Sequence, residues 1–211
     1  MWVLYIFPVA WNLPTRLKYA TVKPLLKKGD KENIANYRPI SLQTSFSKVF
    51  ERLIYDRLLK HIENNNILAV EQFNFRTSTE KASYKLTGDI LNVPNNIMMV
   101  GGIFCNIQKA FDCVNHNILL TKLEFYGITE ITYKLLKSYL KGKYQSVVLN
   151  NHSSTSCSNW GEITHSVPQG SILGPLLFLL YINDLPQITN DNSKIVLYAD
   201  DISMIIISPN T

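Results

Sequence analysis

Two adjacent carboxylates, Asp200 and Asp201, stand between the apolar runs Ile195-Val196-Leu197 and Ile202-Ser203-Met204-Ile205-Ile206-Ile207. Runs this rich in β-branched residues favour strands, and so short a polar break between two of them predicts a hairpin whose turn projects the acids from the sheet. Two ionised carboxylates so close repel each other, and burying them would be costly. Either the pair makes a plain polar turn, or a divalent cation compensates its charge; Mg²⁺, which prefers hard oxygen ligands and keeps substrate phosphates in its shell, suits such a position.

Around that hairpin the pattern alternates between two periods. Phe46, Val49, Phe50, Leu53, Ile54, Leu58 and Ile62 recur at helical spacing, which predicts an amphipathic helix over 46–62 with charges on its other face. Further helices are predicted over 115–126 and 129–140, capped by Gly127 and Gly142. Strands are predicted over 98–106, 145–149, 162–167, 195–198 and 202–207, with the polar stretch 150–159 as a surface loop. Helices mingled with hairpins imply an α+β fold with an antiparallel sheet.

Composition excludes several classes. At 211 residues and 46% hydrophobic, the chain can bury a core. Cys105, Cys113 and Cys157 form no CxxC pair and are odd in number, which argues against a disulfide framework and for a reducing, intracellular setting. The four histidines lack zinc-finger spacing relative to them. The apolar stretches 1–10 and 176–182 are too short to span a bilayer, so no membrane partner is expected. Charge is uneven: residues 1–60 hold eleven Lys or Arg against four Asp or Glu. That basic third suits a polyanion, although solvated lysines on ordinary surface helices explain it equally well.

Five segments, in order, resemble motifs of reverse transcriptases of the non-LTR (LINE-class, Jockey-like) retrotransposon type. They are Asn36-Tyr37-Arg38-Pro39-Ile40-Ser41-Leu42 with Lys48-Val49-Phe50-Glu51; Phe73-Asn74-Phe75-Arg76; Lys109-Ala110-Phe111-Asp112 with Val114-Asn115-His116; Ser166-Val167-Pro168-Gln169-Gly170-Ser171-Ile172-Leu173-Gly174-Pro175-Leu176; and Tyr198-Ala199-Asp200-Asp201. Asn74 and Ser166 stand where the family usually has Gly.

The resemblance implies a right-hand polymerase arrangement, with a fingers region over 1–95, a palm region over 96–211 whose antiparallel sheet is backed by helices, and the thumb absent. It implies an RNA-directed DNA polymerase that transfers a nucleotide from a dNTP to a DNA primer 3′-hydroxyl on an RNA template, in the nucleus or cytoplasm. Asp200 and Asp201 are then ligands for Mg²⁺, two ions in the family, with Mn²⁺ as an alternative. Arg38 meets the triphosphate, Phe111 packs under the sugar, Gln169 and Gly170 contact the nucleotide, and Arg76 touches template backbone. Oligomeric state stays open.

One ligand position departs from the pattern. The third carboxylate of the family lies five residues before the aromatic of Ala-Phe-Asp, and that count from Phe111 reaches Asn106. Asn106 is expected beside Asp200 and Asp201, while Asp112 is expected to bond local backbone donors instead. Two readings follow: a polymerase domain, or a catalytically inactive nucleic-acid-binding remnant. A metal-dependent nuclease accounts for the acids but not for the Pro-Gln-Gly and Arg-Pro-Ile-Ser segments.

Overall fold

The computed structural model of the chain describes residues 12–74, 79–91, 98–107, 109–150, 154–189 and 193–209. It divides into two compact units, residues 1–61 with 111–178, and residues 62–110 with 179–211.

The first unit carries strands β1 (Tyr19–Leu26) and β2 (Tyr37–Leu42), most of helix α1 (Ser45–Asn64), and in the second unit lie α2 (Thr79–Leu91) and β3 (Met98–Asn106). Helices α3 (His116–Phe125) and α4 (Glu130–Leu140) and strands β4 (Lys143–Asn150), β5 (Thr155–Cys157) and β6 (Gly161–Ile163) return to the first unit. Its sheet runs β2-β1-β4-β5, with β6 also paired to β4. All pairs of this sheet are antiparallel except β1 with β4, which run parallel.

The β1–β2 hairpin escaped prediction because each strand contains a proline, which normally demotes a strand. The two face each other in register, Pro24 against Pro39. Neither removes a needed donor: β2 is an edge strand, and Pro24 lies beyond Tyr19–Val22, the stretch over which β1 pairs with β4.

Helices α3 and α4 form where the 3.6 periodicity placed them, and Gly127 and Gly142 follow them with φ of 79° and 66°. Asn115 caps α3, its side chain accepting from the backbone of Asn117 and Ile118. Leu119, Leu123, Leu136, Tyr139 and Leu140 fill the core between these helices and their neighbours. On α1 the buried face is rotated from the predicted one. Ser47, Glu51, Ile54, Leu58 and Ile62 are buried, whereas Phe46 and Val49 are 80% and 61% exposed. Helix α5 (Gly174–Ile182) is apolar on every face and buried accordingly, with Leu176, Leu177, Leu179 and Leu180 wholly enclosed.

In the second unit, β7 (Ser193–Tyr198) and β8 (Asp201–Pro209) form the expected hairpin, and the sheet is antiparallel in the order β3-β8-β7. The apolar run 202–207 is not a sheet edge, because β3 pairs along the whole of β8 and makes it the central strand. The outer side of β7 is met in turn: Leu197 donates to the carbonyl of Glu71 and accepts from the backbone of Phe73. Helix α2 packs on β7 and β8 through a face that includes the buried Asp89, which is held by Lys85 and Lys194 at 2.9 Å each. The strand predicted over 162–167 shrinks to Gly161–Ile163, since Ser166 turns to a φ of 85° and ends the extended run.

Candidate functional site

The register Tyr198↔Asp201 leaves Ala199 and Asp200 as a two-residue turn between β7 and β8. Such turns match the strand twist when the first central residue has positive φ, and Ala199 has φ 54° without being glycine. This tight geometry sets Asp200 half-buried at the tip and Asp201 exposed at the start of β8. Asp200 is further fixed by its carbonyl, which accepts from the backbone of Ile107 at 2.9 Å. Across the sheet Asn106 is paired with Asp201, and Asn106 Nδ2 donates to Asp201 Oδ1 at 2.7 Å.

The spacing argument therefore places Asn106 correctly beside Asp201. The donor set suits a hard divalent cation, which needs one or two carboxylates and otherwise keeps water or phosphate. A third acidic or imidazole ligand does not join them among the described residues. What Asn106 brings is an N–H donor aimed at the Asp201 carboxylate in place of a third negative charge.

In the first unit a second cluster forms around the Pro-Gln-Gly segment. Gly170 has φ 98°, which favours glycine, and a Cβ there would crowd the Ser41 carbonyl at 3.2 Å. Close approach is held by the Ser41 N–H, which donates to the Gln169 carbonyl at 2.8 Å. Gln169 Nε2 donates to Asp112 Oδ1 at 3.4 Å, so Asp112 engages a side-chain amide where backbone donors were expected. Phe111 is half-buried with its ring tilted against Phe178 at 5.1 Å, and its carbonyl accepts from Val167. Arg38 lies exposed on β2 opposite Leu25. Arg76 falls outside the described residues.

Beyond Gly170, Ser171 Oγ donates to the Pro168 carbonyl and accepts from the Gly174 N–H, tying the turn to the start of α5. Gly174 is needed there, for a Cβ would meet Ser171 Oγ at 2.5 Å and the Pro168 carbonyl at 2.9 Å. The backbone at Ser166 is of the kind that favours glycine. Its φ of 85° is a region in which a side chain is strained by about 1–3 kcal/mol. Ser166→Gly is expected to raise stability by about 1 kcal/mol, after the greater freedom of glycine in the unfolded chain is allowed for, read as a higher urea midpoint at constant slope. The strained backbone is retained by two bonds: its N–H donates to Val114, and its carbonyl accepts from His116 Nε2 at 2.6 Å. Burial pushes the His116 imidazole below its usual pKa, partly offset by that carbonyl.

Sequence reasoning assigned no role to the group that supports this segment from beneath. Glu51 is 1% exposed; its Oε1 accepts from Tyr139 O–H at 2.6 Å and its Oε2 from the backbone of Ile172 at 2.7 Å. Lys143 lies in the same interior, its Nζ 3.4 Å from the Tyr139 ring centroid and without a hydrogen-bond partner. Burial lowers the Lys143 pKa to about 7 despite the Glu51 charge, and raises that of Tyr139 well above its usual value. The available signal was Glu51 standing in phase with Ser47, Ile54, Leu58 and Ile62.

The family model described as "Reverse transcriptase (RNA-dependent DNA polymerase)" matches residues 26–211. The probable RNA-directed DNA polymerase from transposon X-element of Drosophila melanogaster is 36% identical over 205 residues, covering 94% of this chain and 21% of the relative. That from transposon BS of the same organism is 36% identical over 208 residues, covering 91% and 22%. The RNA-directed DNA polymerase from mobile element jockey of the same organism is 31% identical, covering 94% and 22%. The chain thus spans about a fifth of the length of these relatives. Among solved structures, apo telomerase from Candida tropicalis truncated from its C-terminal domain matches with a TM-score of 0.62 at 13% identity, over 92% of this chain and 44% of that one. At that identity the likeness concerns the fold, and it agrees with the fingers-and-palm architecture implied by the motifs. With a family model matching from Leu26 to Thr211 and relatives above 30% identity along nearly the whole chain, this chain belongs to the reverse transcriptase (RNA-dependent DNA polymerase) family.

Proposed function

We propose that the chain is the fingers (1–95) and palm (96–211) of a non-LTR retrotransposon reverse transcriptase, which extends a DNA primer on an RNA template. The observation that carries this reading is the two-residue turn that presents Asp200 and Asp201 directly beside the end of β3. Asp200 and Asp201 would hold Mg²⁺, which when bound neutralises phosphate charge and activates the attacking oxygen. Arg38 binds the triphosphate as a planar fork of donors, and Arg76 binds template backbone. Gly170 lets the backbone approach the incoming nucleotide closely, Gln169 contacts it, and Phe111 packs under its sugar. The remaining work is positioning of the primer hydroxyl in line with the α-phosphate. Primer extension on an RNA template with Mg²⁺ or Mn²⁺ tests the reading; loss of all extension in a chain completed from a longer relative, even after Asn106→Asp, would sink it.

A second reading is an inactive nucleic-acid-binding remnant, favoured by the N–H that Asn106 directs at Asp201. Both readings require polyanion binding. Between residues 15 and 42 seven Lys or Arg face two acidic residues, a net charge of +5. Affinity for an RNA–DNA duplex is therefore expected to fall about a hundredfold or more between roughly 50 and roughly 200 mM salt. A titration by fluorescence anisotropy with no salt dependence would remove this electrostatic basis.

A further inference from the structure

Three aromatic side chains on the first unit's sheet take no part in the site above. Tyr19 opens β1 and is paired with Tyr144 of β4; their rings stack with centroids 5.2 Å apart and planes 15° apart. Trp160, just before β6, stands edge-on to Tyr19 at 5.1 Å and 83°. They are not core residues that happen to reach the surface, since Trp160 is 51% and Tyr19 38% exposed. What sets these rings apart from other exposed apolar side chains such as Phe46 is that they touch one another and so form one continuous aromatic patch.

The charge around them says what kind of partner. Tyr19, Thr21, Lys23 and Leu25 alternate onto one face of β1, and antiparallel pairing sets Arg38 opposite Leu25 and Ile40 opposite Lys23 on that same face. Arg16, Lys23, Lys27, Lys28 and Lys31 form no ion pair among the described residues, so their charge is available to an external anion besides the triphosphate assigned to Arg38. One acid, Glu162, stands opposite Tyr144 across the β4–β6 pairing, and its single charge is outweighed by the net +3 of the hairpin over 19–42, five Lys or Arg against Asp30 and Glu32. Stacked rings beside a cationic track are the two components of single-strand recognition: bases lie on the π faces while phosphates follow the cations.

We propose that Tyr19, Tyr144 and Trp160 form a stacking platform for unpaired nucleobases of a single-stranded nucleic acid whose phosphates run along the β1–β2 hairpin. The proposal rests on the polyanion-binding reading above and adds the base-contacting surface to it. A strand held here is read by shape and stacking, so its sequence matters little while the presence of bases matters much.

The test uses the full chain and a labelled single-stranded RNA of about twelve nucleotides. Its affinity is compared with that for an abasic ribose-phosphate strand of equal length, at several salt concentrations. The base-bearing strand should bind about tenfold more tightly, and Tyr19→Leu and Trp160→Leu should each remove most of that advantage while leaving abasic affinity and its salt slope unchanged. Equal, salt-dependent affinity of the wild type for both strands would overturn the platform and leave the electrostatic reading standing; that comparison needs no variant to fold. Variants that bind the base-bearing strand like the wild type would likewise overturn it and assign the face to a partner of other chemistry. No binding to either strand at low salt would sink both readings together.

Discussion

Replacing Asn106 with Asp is expected to speed single-turnover nucleotide addition about a thousandfold, a change of roughly 4 kcal/mol in transition-state stabilisation. The measurement needs a fusion that supplies the remainder of a longer relative, so that primer and template are held alike in both proteins. The physical ground is the 2.7 Å bond from Asn106 Nδ2 to Asp201 Oδ1. A neutral amide in that place offers at most one carbonyl oxygen to a cation, and as it stands it offers a competing proton donor. Loss of residues one shell further out already costs about 10- to 100-fold in metal affinity or activity, and this position is closer. High Mg²⁺ restores occupancy but not alignment, so Mn²⁺ should recover only part of the rate and Asn106→Asp most of it. A second readout is independent of turnover. Without cation, the new carboxylate repels Asp201 and lowers stability, so Mg²⁺ should raise the melting temperature of Asn106→Asp more than that of the wild type. Equal rates in saturating Mg²⁺ would show that Asn106 is no defect.

The contrast between Asn106 and Glu51 shows how far a sequence carries such a reading. Asn106 was legible because the motif spacing is a short local count from Phe111 back to the last residue of β3, and that strand then sets it against Asp201 through regular pairing. Helices α3 and α4 were legible for the same local reason, as their apolar periods and closing glycines lie within a few residues of each other. Glu51 was not, because its partners Tyr139 and Ile172 lie 88 and 121 residues away and nothing local marks them. The periodicity of α1 was read through its apolar residues, and the helix instead buries a carboxylate and leaves Phe46 in water. Helix α2 hid itself similarly, since one of its two buried residues is Asp89, neutralised by Lys194 from a distant strand. Buried charge is invisible to a hydrophobic pattern until its counter-charge is placed.

Removing the Glu51 carboxylate should destabilise the first unit strongly. Glu51→Ala leaves the Ile172 N–H and the Tyr139 O–H without their acceptor and Lys143 without the negative charge that favours its ammonium, a loss of about 3–5 kcal/mol by precedent for broken buried pairs. The pH dependence identifies the cation's share. Lys143 has a pKa of about 7 in the folded chain against the ordinary 10.5. Between those values the unfolded chain binds one more proton than the folded one, so this group makes stability rise with pH from about 7 to about 10.5. Below pH 7 both states are protonated, and the fold carries the full cost of a buried ammonium. Lys143→Met should therefore flatten the stability profile across that window, with its largest gain over the wild type at acid pH. Glu51→Ala should push the Lys143 pKa lower still and extend the sloping window downward, so the deficit measured by urea unfolding at about pH 6 exceeds that at about pH 9. In the double variant Lys143→Met should return part of what Glu51→Ala loses, because the uncompensated charge is gone while the two orphaned donors remain. Parallel pH profiles for the wild type and Lys143→Met would mean that the ammonium reaches water, and the Glu51 effect would then be one of hydrogen bonds alone.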